Sequence, residues 1–184
     1  MADLGENDLD FIHWDDLARR LPPEGVLRRF PTEEARLERL VAVRWPEEIS
    51  CPRCSAPNPS RILTRGTYQC RKCRNQFSAT SGTYLHGSRL SLAMWFQTAE
   101  SMINYRAQVP RHNIPAHALS DILGCAYVTA RRVIKLVDGD IRRAGTKILS
   151  TAICEKTADA PRPADELRDY RPLMEGQATA QHDS

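Results

Sequence analysis

The chain has no run of about 18 apolar residues, the length a membrane-spanning helix needs. Glycine is scarce, nine in 184 residues, and nowhere do glycines gather into a phosphate-cradling loop. No serine, cysteine or lysine nucleophile has a base at supporting spacing, so an enzyme is not expected. Residues Met1 to Asp10 are acidic and lack the apolar stretch of a secretory leader, so the expected location is cytoplasmic, close to the nucleoid. The six cysteines are therefore not expected to pair as disulfides, which persist in oxidising compartments.

Four of those cysteines stand in a pattern. Cys51-Pro52-Arg53-Cys54 and Cys70-Arg71-Lys72-Cys73 are two Cys-x-x-Cys turns separated by fifteen residues. That spacing belongs to four-thiolate metal sites: each turn wraps two thiolates around one side of an ion, and the intervening segment makes a short hairpin that returns the second pair. Soft thiolates in a closed tetrahedron suit Zn²⁺, with iron in the same cage as the chemical alternative. A thioredoxin-like redox pair fits less well, because there are two pairs and no βαβ pattern. The expected cofactor is thus Zn²⁺, held by Cys51, Cys54, Cys70 and Cys73 in a zinc ribbon. Cys125 reads as a small residue at a turn, and Cys154 has no reading.

Charge is small in sum, +3, but uneven along the chain. Residues 1–50 hold 7 Lys/Arg against 12 Asp/Glu, and residues 151–184 hold 4 against 7. The middle, residues 51–150, holds 15 against 4 and stays clearly positive even with an anionic metal site inside it. A basic middle between acidic ends points to a polyanion partner. Arg53, Arg71, Lys72 and Arg74 flank the cysteine turns, where they either meet phosphate or compensate the thiolates' charge.

Helical spacing accounts for most of the remainder. Phe11, Trp14, Leu17 and Leu21 predict a short amphipathic helix ended by Pro22-Pro23. Thr32 is a good N-cap for a helix carrying Leu37, Leu40 and Val41, with Glu33 and Glu34 at the positive end of its dipole. This helix is expected to pack on the ribbon, which alone buries too little apolar area. In the ribbon, Ile62-Leu63, Thr67 to Gln69 and Gln76-Phe77-Ser78 read as strands, with Gly66 turning between the first two. Leu92, Trp95, Phe96, Ala99, Met102 and Ile103 share one face of a further helix starting near Ser91.

Pro115 opens a helix with Leu119, Ile122 and Leu123 on its apolar side, and Gly124 breaks it. Another begins near Tyr127 and turns Ala130, Val133, Ile134 and Val137 inward. Two helices around a Gly turn read as a helix-turn-helix. Tyr127, Thr129, Arg131, Arg132 and Lys135 then form an outer face suited to a DNA groove, the alternative being an ordinary solvated hairpin. His13, His86, His112 and His117 are isolated, without ligand spacing. Past Arg143 the periodicity fades, and Ala158 to Ser184 has the composition of a disordered segment.

The expected fold is α+β and mostly helical: a four-cysteine zinc ribbon flanked by helices, then a helix-turn-helix bundle and a disordered C-terminal tail. The expected divisions are an N-terminal helix and extension over 1–28, the ribbon with its leading helix over 29–84, the bundle over 85–143, and a mostly disordered tail over 144–184.

Several of these features stand in one order: Phe30-Pro31-Thr32-Glu33-Glu34, Arg44-Trp45-Pro46, the first cysteine turn, Tyr68-Gln69-Cys70, the second turn, Gln76-Phe77-Ser78, Ser81-Gly82-Thr83 and the Leu92/Trp95 helix. In this the sequence resembles the N-terminal region of bacterial insertion-sequence transposases that carry a zinc-ribbon domain. Leu119, Leu123-Gly124 and Thr129-Ala130-Arg131-Arg132 resemble that family's helix-turn-helix, so the likeness runs roughly over residues 28–138. The resemblance implies duplex DNA as partner. It also implies a downstream ribonuclease-H-like domain with three metal-binding acids, but Asp159, Asp165, Glu166 and Asp169 lie in a Pro-rich stretch with no strands to hold them. The expectation is therefore a DNA-binding protein without catalysis of its own, a regulator or a transposition remnant. A zinc-ribbon module for protein interaction, in which the Trp14 helix docks on a basic partner, and an RNA binder are the alternatives. Homodimerisation is left open, and no membrane partner is expected.

Overall fold

In a computed structural model of the protein, residues 6–62 and 66–155 are described. The expectation of disorder over Ala158 to Ser184 falls outside them. Helix α1 spans Glu6–Arg19 and buries Trp14 (1% exposed) and Leu17. The Trp14 indole donates from Nε1 to Asp10 Oδ1 at 3.1 Å, and the Arg106 guanidinium lies 4.6 Å from the ring centroid while pairing with Asp10 Oδ2 at 2.8 Å. A tryptophan held this way has no surface left to offer. The Trp14 ring is spent on the protein's own core and is not what a partner of this helix would meet.

Helix α2, Val26–Arg29, went unread because one turn carries no periodicity. Its first amide, on Val26, is satisfied from a distance by Glu100 Oε1 at 2.9 Å. Helix α3, Glu33–Arg44, starts as expected, with Thr32 Oγ1 accepting from the Ala35 amide. Glu33 does more than favour its own helix dipole. Its two oxygens accept from the amides of Leu92 and Ala93 at 2.9 and 3.0 Å, the free N–H groups that open helix α4, Leu92–Gln108. At the other end of α3, Arg44 Nη1 donates to the Ala79 carbonyl at 2.8 Å. The chain that leaves the ribbon is thus gripped at both ends of the helix that enters it.

Between those helices lies a three-stranded antiparallel sheet in the order β1 (Ser60–Ile62), β2 (Thr67–Gln69), β3 (Gln76–Phe77). Arg61 pairs with Tyr68, and Tyr68 with Phe77. Leu63, expected on the first strand, lies outside the described residues. Ser78 is not part of β3. Its amide donates to Ser81 Oγ at 2.9 Å, so a polar turn takes over where a third ladder residue was expected.

Helix α4 is the hub of the helical core: α1, α2 and α3, and then α5 (Ala116–Leu123), α6 (Tyr127–Ile141) and α7 (Ile148–Ile153), all pack against it. Its Phe96, Ala99, Met102 and Ile103 are completely buried, as the single apolar face required. Helices α5 and α6 meet at Gly124, whose φ of 60° closes α5 in a left-handed turn that other residues adopt only with strain.

Helix α7 lies in a stretch expected to have no regular structure. Six residues cannot hold a helix by propensity, so its stability comes from outside. Leu149, Ala152 and Ile153 are fully buried. The buried Asp140 carboxylate accepts from the amides of Ile148 and Leu149 at 2.9 and 2.8 Å, and Arg39 donates to the carbonyls of Ala152 and Thr151 at 2.8 and 3.0 Å. An anion at the N-terminus and a cation at the C-terminus both oppose the helix dipole correctly. Cys154 follows, buried, its thiol on the Leu17 carbonyl at 3.6 Å. The cue was Asp140, eight residues before the first capped amide, together with the remote Arg39, and neither shows in an apolar periodicity. Asp140→Ala would orphan one buried and one half-buried N–H group and should cost about 2–4 kcal/mol in denaturant unfolding; a loss well under 1 kcal/mol would mean that α7 is held by packing alone.

Candidate metal centre and nucleic-acid interface

The two cysteine turns have the same backbone. The Cys51 amide donates to the Ala56 carbonyl and the Ser55 amide to the Cys51 carbonyl; the Cys70 amide donates to Asn75 and the Arg74 amide to Cys70, all between 2.8 and 3.0 Å. Ser55 and Arg74, each just past its second cysteine, share the left-handed φ of 55° and 61°. Each first cysteine also receives an amide on sulfur, from Arg53 to Cys51 Sγ and from Cys73 to Cys70 Sγ, at 3.4 Å. Such amides stabilise negative sulfur.

These turns converge. The ligand sulfurs of Cys51, Cys54, Cys70 and Cys73 all lie within 4.8 Å of one another, with Cys51–Cys73 and Cys54–Cys70 at 3.6 Å. Four sulfurs each about 2.3 Å from a tetrahedral zinc would stand about 3.8 Å apart, so the donor set fits Zn²⁺ in number, type and spacing. None of the four is in a disulfide. As free thiols they are uneven. The Cys73 amide, above all, brings Cys70 down to about 6. At Cys54 the Ala56 amide acts the same way, but the hydrogen bond with Cys73 and burial outweigh it and push the thiol up to about 11. A proton shared among sulfurs in this way has to leave when the ion enters, so binding metal releases protons.

Behind the thiolates sits an aromatic seal. Tyr68 and Phe77 stack with centroids 5.6 Å apart, and Trp45 meets them edge-on at 6.1 and 5.8 Å. With Cys51 and Cys70 these form a small core of their own, distinct from the one around α4, and Val41 and Trp45 of the α3 segment touch both. In the sequence Trp45 stood out only as part of the Arg44-Trp45-Pro46 motif. It is the joint between the two cores, and its position just before the first cysteine turn was the available clue.

The candidate DNA-contacting residues fall in two groups. Arg53, Arg71, Lys72 and Arg74 are all exposed around the turns, Arg71 also donating to Ser60 Oγ at 3.1 Å. On α6, Tyr127 (54% exposed), Arg131, Arg132 and Lys135 face outward, Thr129 is half-buried, and Ala130, Val133 and Val137 are buried as expected. The spacing misses Val128, whose side chain is 77% exposed and falls in line with Arg131, Arg132 and Lys135. Of the four acids of the basic middle, Glu100 caps α2, Asp140 caps α7, Asp138 pairs with Arg142, and the exposed Asp121 of α5 pairs with none of these cations among the described residues. His13 Nε2 donates to the Ile141 carbonyl at 2.7 Å, a structural role.

Sheet, knuckles and sulfur geometry together define a four-cysteine zinc ribbon. Residues 31–76 match the family model of the transposase zinc-ribbon domain. The match covers α3 and the ribbon up to the first residue of β3 but not the α5–α6 pair, so it is narrower than the resemblance over 28–138. No curated protein and no solved structure matches the chain significantly. No described helix is long and apolar enough to cross a membrane.

Because the ribbon's small core rests on the thiolates whereas the α4 core contains none of them, removing the metal should divide the protein. A strong chelator should abolish hydrogen-exchange protection over residues 49–78 and leave α4 and α6 protected. Retained protection in the ribbon would contradict a metal-dependent fold.

Proposed function

We propose that the protein binds duplex DNA, with α5–α6 as a helix-turn-helix whose second helix enters the major groove and the zinc ribbon as a second, phosphate-directed body fixed to it by α3 and Trp45. The observation that carries this reading is the outward stripe of α6: Val128, Arg131, Arg132 and Lys135, all exposed, with no carboxylate partner among the described residues. Arginine suits the acceptor edge of guanine, and an apolar side chain suits the methyl of thymine. The match of residues 31–76 to a transposase zinc-ribbon domain supports the same partner.

The reading extends to the absence of catalysis. Zinc held by four thiolates offers no open coordination position, so its work is structural, and the protein acts by occupying DNA, as a regulator or within a transposition system. With Trp14 in the core, the protein-interaction alternative rests on the ribbon and not on this ring.

With about five to seven phosphate contacts, log affinity should fall against log salt with a slope of roughly −4 to −6. Arg131→Ala should weaken a preferred site by about 1–3 kcal/mol and relax its sequence preference. Titrations of labelled duplexes at several salt concentrations measure both, and a flat salt response would remove DNA as the partner.

A further inference from the structure

Between the ribbon and α4, residues 84–90 form a loop rooted in the helical core by the buried Leu85, and it lines a cleft of about 500 Å³ together with α6. One wall carries His86, Gly87 and Arg89, all exposed; the other is the α6 surface itself, Val128, Thr129 and Arg132. The floor is apolar, from Trp95 and Leu90, with Trp95 held edge-on by Tyr84 at 5.6 Å. Neither Arg89 nor Arg132 has a carboxylate within pairing distance among the described residues, and no acidic residue lines the cleft. Two arginines without a carboxylate partner therefore line one cleft over an apolar floor, beside the helix proposed to read the groove.

We infer that this cleft seats the phosphate backbone of one DNA strand, clamped between Arg89 of the loop and Arg132 of α6. The inference rests on the DNA-binding reading and adds to it a specific strand contact and a residue outside the helical pair. A helix lying in a major groove has a sugar-phosphate strand along each flank. A cation on the helix and a second on an adjoining loop bracket one of those strands, while the apolar floor accepts the sugar edge. Guanidinium groups are the fitting choice, since they bind phosphate oxygens in pairs. Such contacts fix the depth and register of the helix without reading a base. The loop is held by Leu85, which is buried in the helical core, and is shaped by local bonds from the Leu90 amide to Ser88 Oγ at 3.0 Å and from the His86 amide to the Thr83 carbonyl at 3.1 Å.

The test is Arg89→Ala in the full, zinc-loaded chain, with thermal unfolding and zinc content checked against the unaltered protein. Arg89 is exposed and has no ion pair among the described residues, so folding should be unchanged. Affinity for duplexes of unrelated sequence should drop by a similar factor, about five- to tenfold, and the salt slope should become shallower by about 1. Arg89→Lys, which keeps the charge, should recover most of the affinity. Unchanged affinity and slope in Arg89→Ala would overturn the clamp, as would a loss confined to one sequence, the mark of a base contact. Arg131→Ala, outside the cleft, separates the two readings: loss there with none at Arg89 removes the clamp alone, whereas an unaltered protein that ignores every duplex in low salt removes both.

Discussion

Four sulfur atoms drawn within 4.8 Å of one another impose the geometry on which the rest of the ribbon depends. Strands of two or three residues cannot hold themselves together in water, and a sheet of this size buries too little apolar surface to fold alone. The ion closes both knuckles at once, and so fixes where β1, β2 and β3 begin and end. Only then can Tyr68 and Phe77 stack and present a face to Trp45. Thiolates, aromatic stack and α3 form a chain of dependence in which each link is too weak alone.

The helical core solves the opposite problem. It has ample apolar surface around α4, and its difficulty lies in the helix ends. Its answer is a set of charged side chains acting at a distance: Glu33 at the start of α4, Glu100 at the start of α2, and Asp140 and Arg39 at the two ends of α7. These capping carboxylates have a consequence for the surface. Acids used to satisfy buried amides are no longer available to neutralise surface cations. Part of the positive face of residues 51–150 is thus a by-product of how the core is finished.

What was legible in the sequence follows the range of each interaction. The cysteine turns, the Thr32 cap, the apolar stripe of α4 and the glycine ending α5 are local, and spacing alone located them. The family likeness, too, rested on local motifs, and it holds for residues 31–76. Three things were hidden, each because it joins residues far apart in the chain. Helix α7 needs Asp140 and Arg39. The burial of Trp14 needs Arg106, a residue of α4. The cleft beside α6 needs a loop some forty residues earlier, at 84–90. Exposed sites are less legible still, since Val128 looks like any core valine until its helix is packed.

The most direct measurement is X-ray absorption at the metal edge of the purified protein. The account predicts one zinc per chain, surrounded by four sulfur scatterers at about 2.3 Å. Nitrogen or oxygen in that shell, or a fully folded ribbon carrying no metal, would contradict it.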